Sequence, residues 1–492
     1  MNSMPERVGT RRPTHPWLKQ LKVAVVPGPA SAVLEEVIEG LLGQFQALGH
    51  EVQPQPRDGA DLLLTTARYG EPVPWRKALF FTARKRYNLE HSPTILTLVH
   101  LSRADYQAAM DHFRQALAKD PIDPADFQFP GLAPQAYRVL AEQGRRGGPL
   151  LALERQLQAQ AKSIRLLLVV GDDRPLWAHH FDLVGAHPTI EADHDGGFYE
   201  DLVLRTVTVL STQEITDHEV VGQPIPLAKW RGLSAPPAMI AAGPQLGRRS
   251  FFTEMVRIAD LVQVPAVADG VASQYSEGCF ATWEPALEAL IATVTGSARP
   301  VDKDQIVEDD LAVIVGVRPD GVGAQVRQVE GKRNDPPSSE AVELMDMDRG
   351  LPSVDLDGSW EIPGRVPVVR SKLHGHRGVA SFDPRQVEHV PLDPPYYHYP
   401  VSCATEAQAQ GIKAAFARAE SLRDPGDPRQ LAFTVLPGHG VVIAEKWVKG
   451  KAPFQAMWEA MDQGSLVVEN RVPQGPLSYI PGPDGRMVLK EG

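Results

Sequence analysis

The residues in this sequence that could carry chemistry begin with two histidines separated by one glycine, His374 and His376. They follow a run that reads as a strand, and alternate strand residues share one face, as in many metal-binding pairs of this spacing. A polar turn between two strands is the alternative explanation of the pair. We assign both histidines to the binding of a substrate.

A further histidine, His439, lies between Gly438 and Gly440. Glycines on both sides allow the backbone to pass close to a ligand and leave the imidazole unobstructed. A tight hairpin would need the same glycines. The sequence therefore marks His439 as a candidate for ligand contact, with a structural turn as the alternative.

Carboxylates supply the second group of candidates: Glu254, Asp269, Glu277, Glu284, Asp302 and Glu330. Two carboxylates and one histidine would form an oxygen-rich site that suits manganese or magnesium better than a zinc thiolate site does. Glu277 lies in a polar segment directly before a helical pattern. This layout is common in active sites, and it is also the layout of an ordinary helix cap.

Lys332 and Arg333 lie on a predicted turn after a strand, where they could contact an anionic or polyhydroxyl ligand. We assign them to substrate binding, with an exposed surface turn as the alternative. The two cysteines, Cys279 and Cys403, lack CxxC spacing, so we expect buried thiols and no structural zinc site. No GxxxxGK[ST], GxSxG, HExxH or EF-hand pattern occurs, which excludes the enzyme classes that those motifs define.

Helices and strands alternate along the first half of the sequence. Strand-like runs at 22–26, 61–65 and 94–99 alternate with helical patterns at 31–50 and 103–117. This alternation is typical of a doubly wound α/β domain with a largely parallel sheet. A Gly-Arg-rich segment suggests a boundary near residue 145, and the apolar run at 164–170 reads as the first strand of a second α/β unit. In that unit we expect helices around 251–261 and at 285–296.

Short β-rich runs with turns between them replace this alternation after about residue 320, interrupted by helices near 406–422 and 453–463. The predicted fold is therefore α/β, with two doubly wound Rossmann-like or flavodoxin-like domains and a β-rich C-terminal domain. The boundaries are 1–145, 146–320 and 321–492.

Composition limits the classes of partner. Of the 492 residues, 43% are hydrophobic and 23% are charged, as in globular proteins, and the net charge of −11 argues against a general nucleic-acid surface. The sequence has no apolar run of membrane-spanning length, and its first residues do not read as a signal peptide. We expect a cytoplasmic homo-oligomer without a membrane or nucleic-acid partner.

Taken together, these features resemble the L-fucose and L-arabinose isomerases, a group of metal-dependent sugar isomerases. The closest local likeness runs from Tyr275 to Asp302, where an acidic loop and a predicted helix resemble the metal-carboxylate loop of that family and the helix after it. The turn around His439 resembles the region that holds the family's C-terminal metal histidine. Gly278 and Cys279 stand where the family has more acidic character.

The resemblance implies that Glu277 and His439 are metal ligands. We add Glu254 as the second carboxylate ligand, without a motif match, and give Glu277 and Glu254 the catalytic role. The ion would be divalent, with manganese preferred, and the substrate a small sugar. The implied reaction is aldose–ketose isomerisation, an intramolecular oxidoreduction through an ene-diol, in which the ion polarises the carbonyl and a carboxylate moves the proton.

Two alternatives stay open. The segments 398–405 and 436–442 resemble the histidine motifs of class II aldolases, which would make the protein a zinc lyase, although Pro400 occupies the place of one histidine. The protein could also bind a sugar or another metabolite without catalysis, because a fold does not determine a function.

Overall fold

The computed structural model describes a large part of the chain. The described residues are 20–29, 31–57, 59–73, 83, 85–89, 93–127, 137–163, 165–181, 190–191, 197–211, 217–249, 251–252, 254–255, 275–276, 278–295, 302–319, 321, 323–356, 364–393, 406–437, 439–469, 472 and 477–490.

Seven strands form the first sheet: β1 (Lys22–Val25), β2 (Glu51–Gln53), β3 (Leu62–Arg68), β4 (Thr94–Leu101), β5 (Arg165–Val170), β6 (Trp177–Phe181) and β7 (Ile190–Glu191). Their spatial order is β2-β1-β3-β4-β5-β6-β7. The first five are parallel, and β6 and β7 are antiparallel. This order of the parallel strands is one of the common doubly wound arrangements.

Parallel neighbours need crossover connections, and helices lie in two of those that the structure describes. Helix α1 (Ala32–Ala47) follows β1, and α2 (Arg103–Leu117) and α3 (Tyr137–Ala161) lie between β4 and β5. A fourth helix, α4 (Gly197–Ser211), follows β7. Ser31 caps α1 by accepting a hydrogen bond from the Leu34 amide, the usual role of a serine directly before a helix. One core lies between the sheet and α1 with α4, and another lies against α2 and α3. The predicted α/β alternation is confirmed in this part of the chain.

Strand β5 corrects the predicted start of a second unit. It is hydrogen-bonded beside β4 in the first sheet and does not begin a new one. Residue 145, the predicted domain boundary, lies inside α3. The Gly-Arg-rich segment there produces a kink, with Gly148 at φ 82° followed by Pro149, and the helix continues on both sides of it. Glycine and proline thus mark a bend in a helix at this point, where we predicted a domain boundary.

The remaining strands follow in chain order: β8 (Glu219–Val220), β9 (Glu254–Met255), β10 (Tyr275–Ser276), β11 (Cys279–Glu284), β12 (Ala289–Thr293), β13 (Leu311–Val317), β14 (Ala324–Arg327), β15 (Ser353–Leu356), β16 (Gly364–Pro367), β17 (Val369–Gly375), β18 (Gly378–Phe382), β19 (Val387–His389), β20 (Leu431–Leu436), β21 (Gly440–Lys446), β22 (Leu466–Glu469), β23 (Tyr479–Pro481) and β24 (Met487–Leu489). The helices are α5 (Leu227–Arg231), α6 (Ala235–Gly247), α7 (Ser339–Asp346), α8 (Glu406–Phe416), α9 (Glu420–Arg423) and α10 (Gln455–Asp462).

A nine-stranded, mostly antiparallel sheet organises this second part, in the order β19-β20-β21-β17-β11-β12-β13-β14-β8. Its two faces are both covered. One core packs around Phe280 and Phe433 against α6 and α10, and the other packs against α7 and α8. A smaller sheet, β22-β18-β24-β23, lies beside it. The C-terminal region is therefore rich in strands, as predicted, and the sheet includes strands from residue 219 onward.

The helix predicted at 285–296 is wrong. The structure has a β-hairpin there, in which β11 pairs with β12 through a tight turn where Glu288 has a φ of 49°. The apolar run that reads as a helical stripe is buried on both faces of the sheet, and such a run does not distinguish a strand from a helix. Pairing of β11 with β17 and of β12 with β13 decides the outcome.

The helix predicted around 251–261 falls mostly outside the described residues, and Glu254 and Met255 within it form strand β9. Among the helices that the structure describes, none combines the length and the apolar character needed to cross a bilayer.

His389 gives this part of the fold a predicted acid sensitivity. Its ring packs 5.0 Å from that of Phe433 and 4.7 Å from that of Tyr479, and burial lowers its pKa to about 4. In the unfolded chain His389 takes up a proton near the ordinary histidine pKa of about 6.5. The neutral, buried imidazole therefore makes its full contribution to the free energy of unfolding above about pH 6.5, and this contribution is lost as the pH falls from there through about 4. We expect His389 to account for a loss of about 2–3 kcal/mol over that range. Urea unfolding of His389→Phe should show a smaller loss, and an unchanged pH dependence would contradict this origin.

Candidate metal centre

Strand β17 places two histidines on one face of the nine-stranded sheet. His374 lies directly opposite Cys279 on β11 and Val442 on β21, and His376 follows two residues later, just beyond the end of the strand. The neighbouring Leu373 packs in the core of the opposite face. The alternation of a strand therefore sends both imidazoles toward the side of the sheet that α7 and α8 cover.

Two further side chains converge on this pair from distant segments. His439 comes from the turn between β20 and β21, and Glu340 from the first turn of α7. His439 Nε2 lies 3.2 Å from His376 Nε2 and 3.6 Å from Glu340 Oε1. The same carboxylate oxygen lies 3.4 Å from His374 Nε2 and 3.9 Å from His376 Nε2. Four potential ligand atoms thus lie within 4.8 Å of one another, and we call these four residues the His3Glu cluster.

The outer nitrogen of His374 fixes the orientation of its ring. Nδ1 lies 3.2 Å from the carbonyl oxygen of Val441, which can only accept a hydrogen bond, so Nδ1 carries the proton. Nε2 is then left with a free lone pair that points into the cluster. Among the described residues this buried Nε2 has no hydrogen-bond partner. A backbone carbonyl behind one nitrogen and a free lone pair on the other is the usual arrangement of a metal-binding histidine.

The electrostatics of the cluster favour the protonation states that bind cations. Burial alone would raise the pKa of Glu340, but its close contacts with His374, His376 and His439 hold that pKa well below its usual range. Burial lowers the pKa of His439 to about 4, and Glu340 only partly opposes the shift. At neutral pH the carboxylate is therefore ionised and His439 is neutral, which are the forms that coordinate a metal.

Glycines let the backbone segments approach closely around the cluster. A Cβ atom on Gly440 would lie 2.3 Å from the Gly375 carbonyl oxygen and 3.1 Å from the Cα of His376. Gly278, at φ 77°, would place its Cβ 2.7 Å from the His374 carbonyl oxygen. Side chains at these positions would push the strands apart, so the glycine at 440 serves the close approach of β21 to β17.

The cluster fits a divalent transition-metal ion. Four donor atoms at about 2.0–2.2 Å from one ion lie about 3.3–3.6 Å from each other in a tetrahedral arrangement, close to the separations of 3.2–3.9 Å between the atoms that contact one another here. The buried lone pair of His374 supports the same conclusion. The Glu340, His374, His376 and His439 side chains could therefore hold a metal ion. Three imidazoles and one carboxylate are a more nitrogen-rich set than the sequence predicts, and imidazole suits zinc, iron, copper and nickel.

Of the residues singled out in the sequence, the structure brings together His374, His376 and His439. The two histidines assigned to substrate binding lie among the potential metal ligands themselves. Glu277 lies outside the described residues. The backbone of Glu254 lies in β9, where it pairs with Ser276 of β10.

Lys332 and Arg333 make contacts that stabilise their own turn. The Lys332 ammonium donates to the carbonyl oxygens of Leu311 and Arg333 and lies 5.6 Å from the centre of the Trp230 ring. The Arg333 guanidinium pairs with Asp335 at 2.8 Å. These contacts match the surface-turn alternative, and the substrate-binding role stays a prediction.

Glu340 is not among the carboxylates that the sequence marks as candidates. It lies near the start of a short helix, in a Ser-Ser-Glu segment with no ligand motif. A predicted carboxylate, Glu284, is structural, because it accepts hydrogen bonds from the amides of Ser234 and Ala235 at the start of α6. Cys279 is buried, as expected, and burial raises the pKa of its thiol well above the usual value. Cys403 lies outside the described residues.

Comparisons of the chain with protein-family models, with curated proteins and with solved structures give no significant match. The function of the site is therefore inferred from the chemistry of its residues.

Proposed function

We propose that the protein is a metal-dependent enzyme that acts on a small molecule with a carbonyl or hydroxyl group, and that the His3Glu cluster holds the ion. The observation that carries this proposal is the convergence of three imidazole nitrogens and one carboxylate oxygen within 4.8 Å, from three segments of the chain. Burial of polar groups costs free energy, so a buried set of this kind needs a compensating partner. A bound cation supplies one.

The exposure of the ligands suggests the direction from which a substrate approaches. The side chains of His374 and His439 are 2% and 5% exposed, whereas those of His376 and Glu340 are each 14% exposed. The cluster therefore opens on the side of His376 and Glu340. When bound, the ion would supply Lewis-acid polarisation of a substrate oxygen. The chain's part is to hold the four ligands in place and to limit the access of water.

For the reaction we propose aldose–ketose isomerisation on a small sugar, with manganese as the first candidate ion. The support comes from the sequence resemblance and from the position of His439 in the cluster. The hairpin at 279–293 removes one part of that resemblance, since the family-like helix is absent from this described segment. The nitrogen-rich donor set favours a second candidate, a zinc lyase that cleaves a carbon–carbon bond next to a carbonyl, because three histidines often bind catalytic zinc.

Elemental analysis of the purified full-length chain tests the metal centre. We expect about one transition-metal ion per chain, retained in Glu343→Gln and largely lost during purification of Glu340→Gln, which keeps only the weaker set of three histidines. Glu343 is a matched control on the same helix, where its carboxylate accepts a hydrogen bond from Gln408. Metal-free wild-type protein that also fails to bind manganese, zinc, iron, nickel or cobalt on addition would overturn the proposal.

Two assays on the metal-loaded protein separate the candidate reactions. During isomerisation in D₂O, the proton that moves between the first two carbons of the sugar is exchanged for deuterium from the solvent. A lyase instead releases a separate aldehyde. If neither reaction occurs with a panel of aldoses, ketoses and their phosphates while metal binding persists, the sugar chemistry is wrong and the non-catalytic binding alternative gains support.

A further inference from the structure

A buried lysine lies beside the metal-binding histidines on β17. Lys372 is two residues before His374, and its side chain is 2% exposed. Its ammonium donates to the carbonyl oxygen of Leu344 at 2.6 Å and pairs with Asp348 at 2.8 Å. The strand neighbours on both sides are small, Ala281 and Ala444, and they leave room for the long side chain to cross the core.

Those contacts are with the C-terminal end of α7 and the turn directly after it. The same helix carries Glu340 at its other end. The last carbonyls of a helix carry partial negative charge and lack intrahelical partners, so a cation there stabilises the helix end. The helix is thus attached to β17 at two points: Glu340 lies against His374 at one end, and Leu344 lies against Lys372 at the other.

The spacing of the two attachments matches on both elements. Glu340 and Leu344 are four residues apart on the helix, a rise of about 6 Å. His374 and Lys372 are two residues apart on the strand, about 6.6 Å. The helix can therefore lie along the strand in the opposite direction with both contacts formed at once, so that the lysine contact sets where the carboxylate stands.

We propose that Lys372 is a positioning residue for the metal centre. It acts through Glu340, by holding the C-terminal end of α7 so that the carboxylate at the N-terminal end stays within reach of the three imidazoles. This inference rests on the proposed metal-dependent function. Without the ammonium, the helix end and Asp348 lose a buried cation, the helix shifts, and the carboxylate ligand is displaced.

A second lysine that contacts α7 provides a control. Lys413 of α8 pairs with Asp346 of α7 at 2.8 Å, the same separation as in the Lys372–Asp348 pair. It ties the helix to α8 and is partly exposed. Lys413→Met therefore removes a lysine–aspartate contact from α7 without releasing the helix from the strand that carries the histidines.

The experiment measures Co²⁺ and Zn²⁺ affinity by competition with a chelator, the visible absorption of the Co²⁺ form, and urea unfolding without metal. Lys372→Met should bind about 10–100-fold more weakly than the wild type, the usual effect of losing a residue behind a metal ligand, with a changed Co²⁺ spectrum. Lys413→Met should retain affinity within a factor of about two. Lys372→Arg should recover part of the loss.

A double-mutant cycle separates positioning from a general structural role. In a Glu340→Gln background, Lys372→Met should weaken binding no further, because the ligand through which the lysine acts is already gone. If Lys372→Met does not fold, Asp348→Asn decides instead, and it should weaken metal binding several-fold. Any of three results would overturn the proposal. They are wild-type metal affinity in folded Lys372→Met, equal losses of affinity in Lys372→Met and Lys413→Met, and equal losses from Lys372→Met with and without Glu340→Gln. Absence of metal binding by the wild type would instead refute the metal centre itself.

Discussion

Replacing His374 by alanine is expected to lower the affinity for a divalent transition-metal ion by more than about a hundredfold. Substitution of a residue that hydrogen-bonds to a metal ligand already weakens metal binding by about 10–100-fold. His374 is itself a potential ligand, with its Nε2 lone pair directed into the cluster. Metal that binds only the folded chain stabilises it by about 4 kcal/mol at a thousandfold excess over Kd. At the same metal concentration a site that is a hundredfold weaker gains at most about 1.4 kcal/mol. We therefore expect added metal to raise the Tm of the wild type and to raise that of the variant by about a third as much or less.

His389→Ala is the control for this experiment. Its side chain is a largely buried histidine in the aromatic group around Phe433, so the substitution also removes an imidazole from a packed environment. We expect a lower Tm in the absence of metal and an undiminished rise when metal is added. A metal-dependent rise of wild-type size in His374→Ala would contradict the ligand role of His374.

Replacing Glu445 by alanine should cause the second large effect, a loss of about 3–5 kcal/mol in the free energy of unfolding, because hydrogen bonds to a buried charge are lost and amides are left unpaired. The Glu445 side chain accepts hydrogen bonds from the amides of Phe454 at 2.6 Å and Ala456 at 2.8 Å, at the start of α10. Phe454 has a φ of 67°, so the chain turns sharply at this point. Urea unfolding at neutral pH measures the difference.

Glu459→Ala supplies the comparison, since Glu459 lies on α10 itself and pairs with Lys451 in a partly exposed position. Such pairs contribute about 0–1 kcal/mol. Losses of similar size in the two variants would show that the Glu445 carboxylate does not have the capping role that its hydrogen bonds indicate.

The sequence predicts elements well where one local signal dominates. Helix α1 and the strands β1, β3 and β4 appear where hydrophobic periodicity and turn residues place them. It fails where pairing with distant strands decides the structure. The run from Ala286 to Val294 could form a helix by itself, but β12 within it pairs with β11 on one side and with β13, from a later segment of the chain, on the other.

The candidate site shows the same division. Sequence spacing identifies His374 and His376, and the flanking glycines identify His439, because these signals are local. Glu340 has no such signal: its ligand position depends on the packing of α7 along β17, which is a tertiary arrangement. The expectation of an oxygen-rich manganese site followed from carboxylates near residue 277, whereas the described cluster has a single carboxylate.

The inner position of β17 in the nine-stranded sheet has a consequence for folding. A slip of β17 by one residue against β21 would exchange the faces of the strand and send Leu373 toward α7 in place of His374. Such a slipped state could not assemble the three imidazoles. Cation binding would therefore favour the native register of β17 over any slipped register. Titration of the refolding chain with metal would measure the fraction of molecules that have reached the native register.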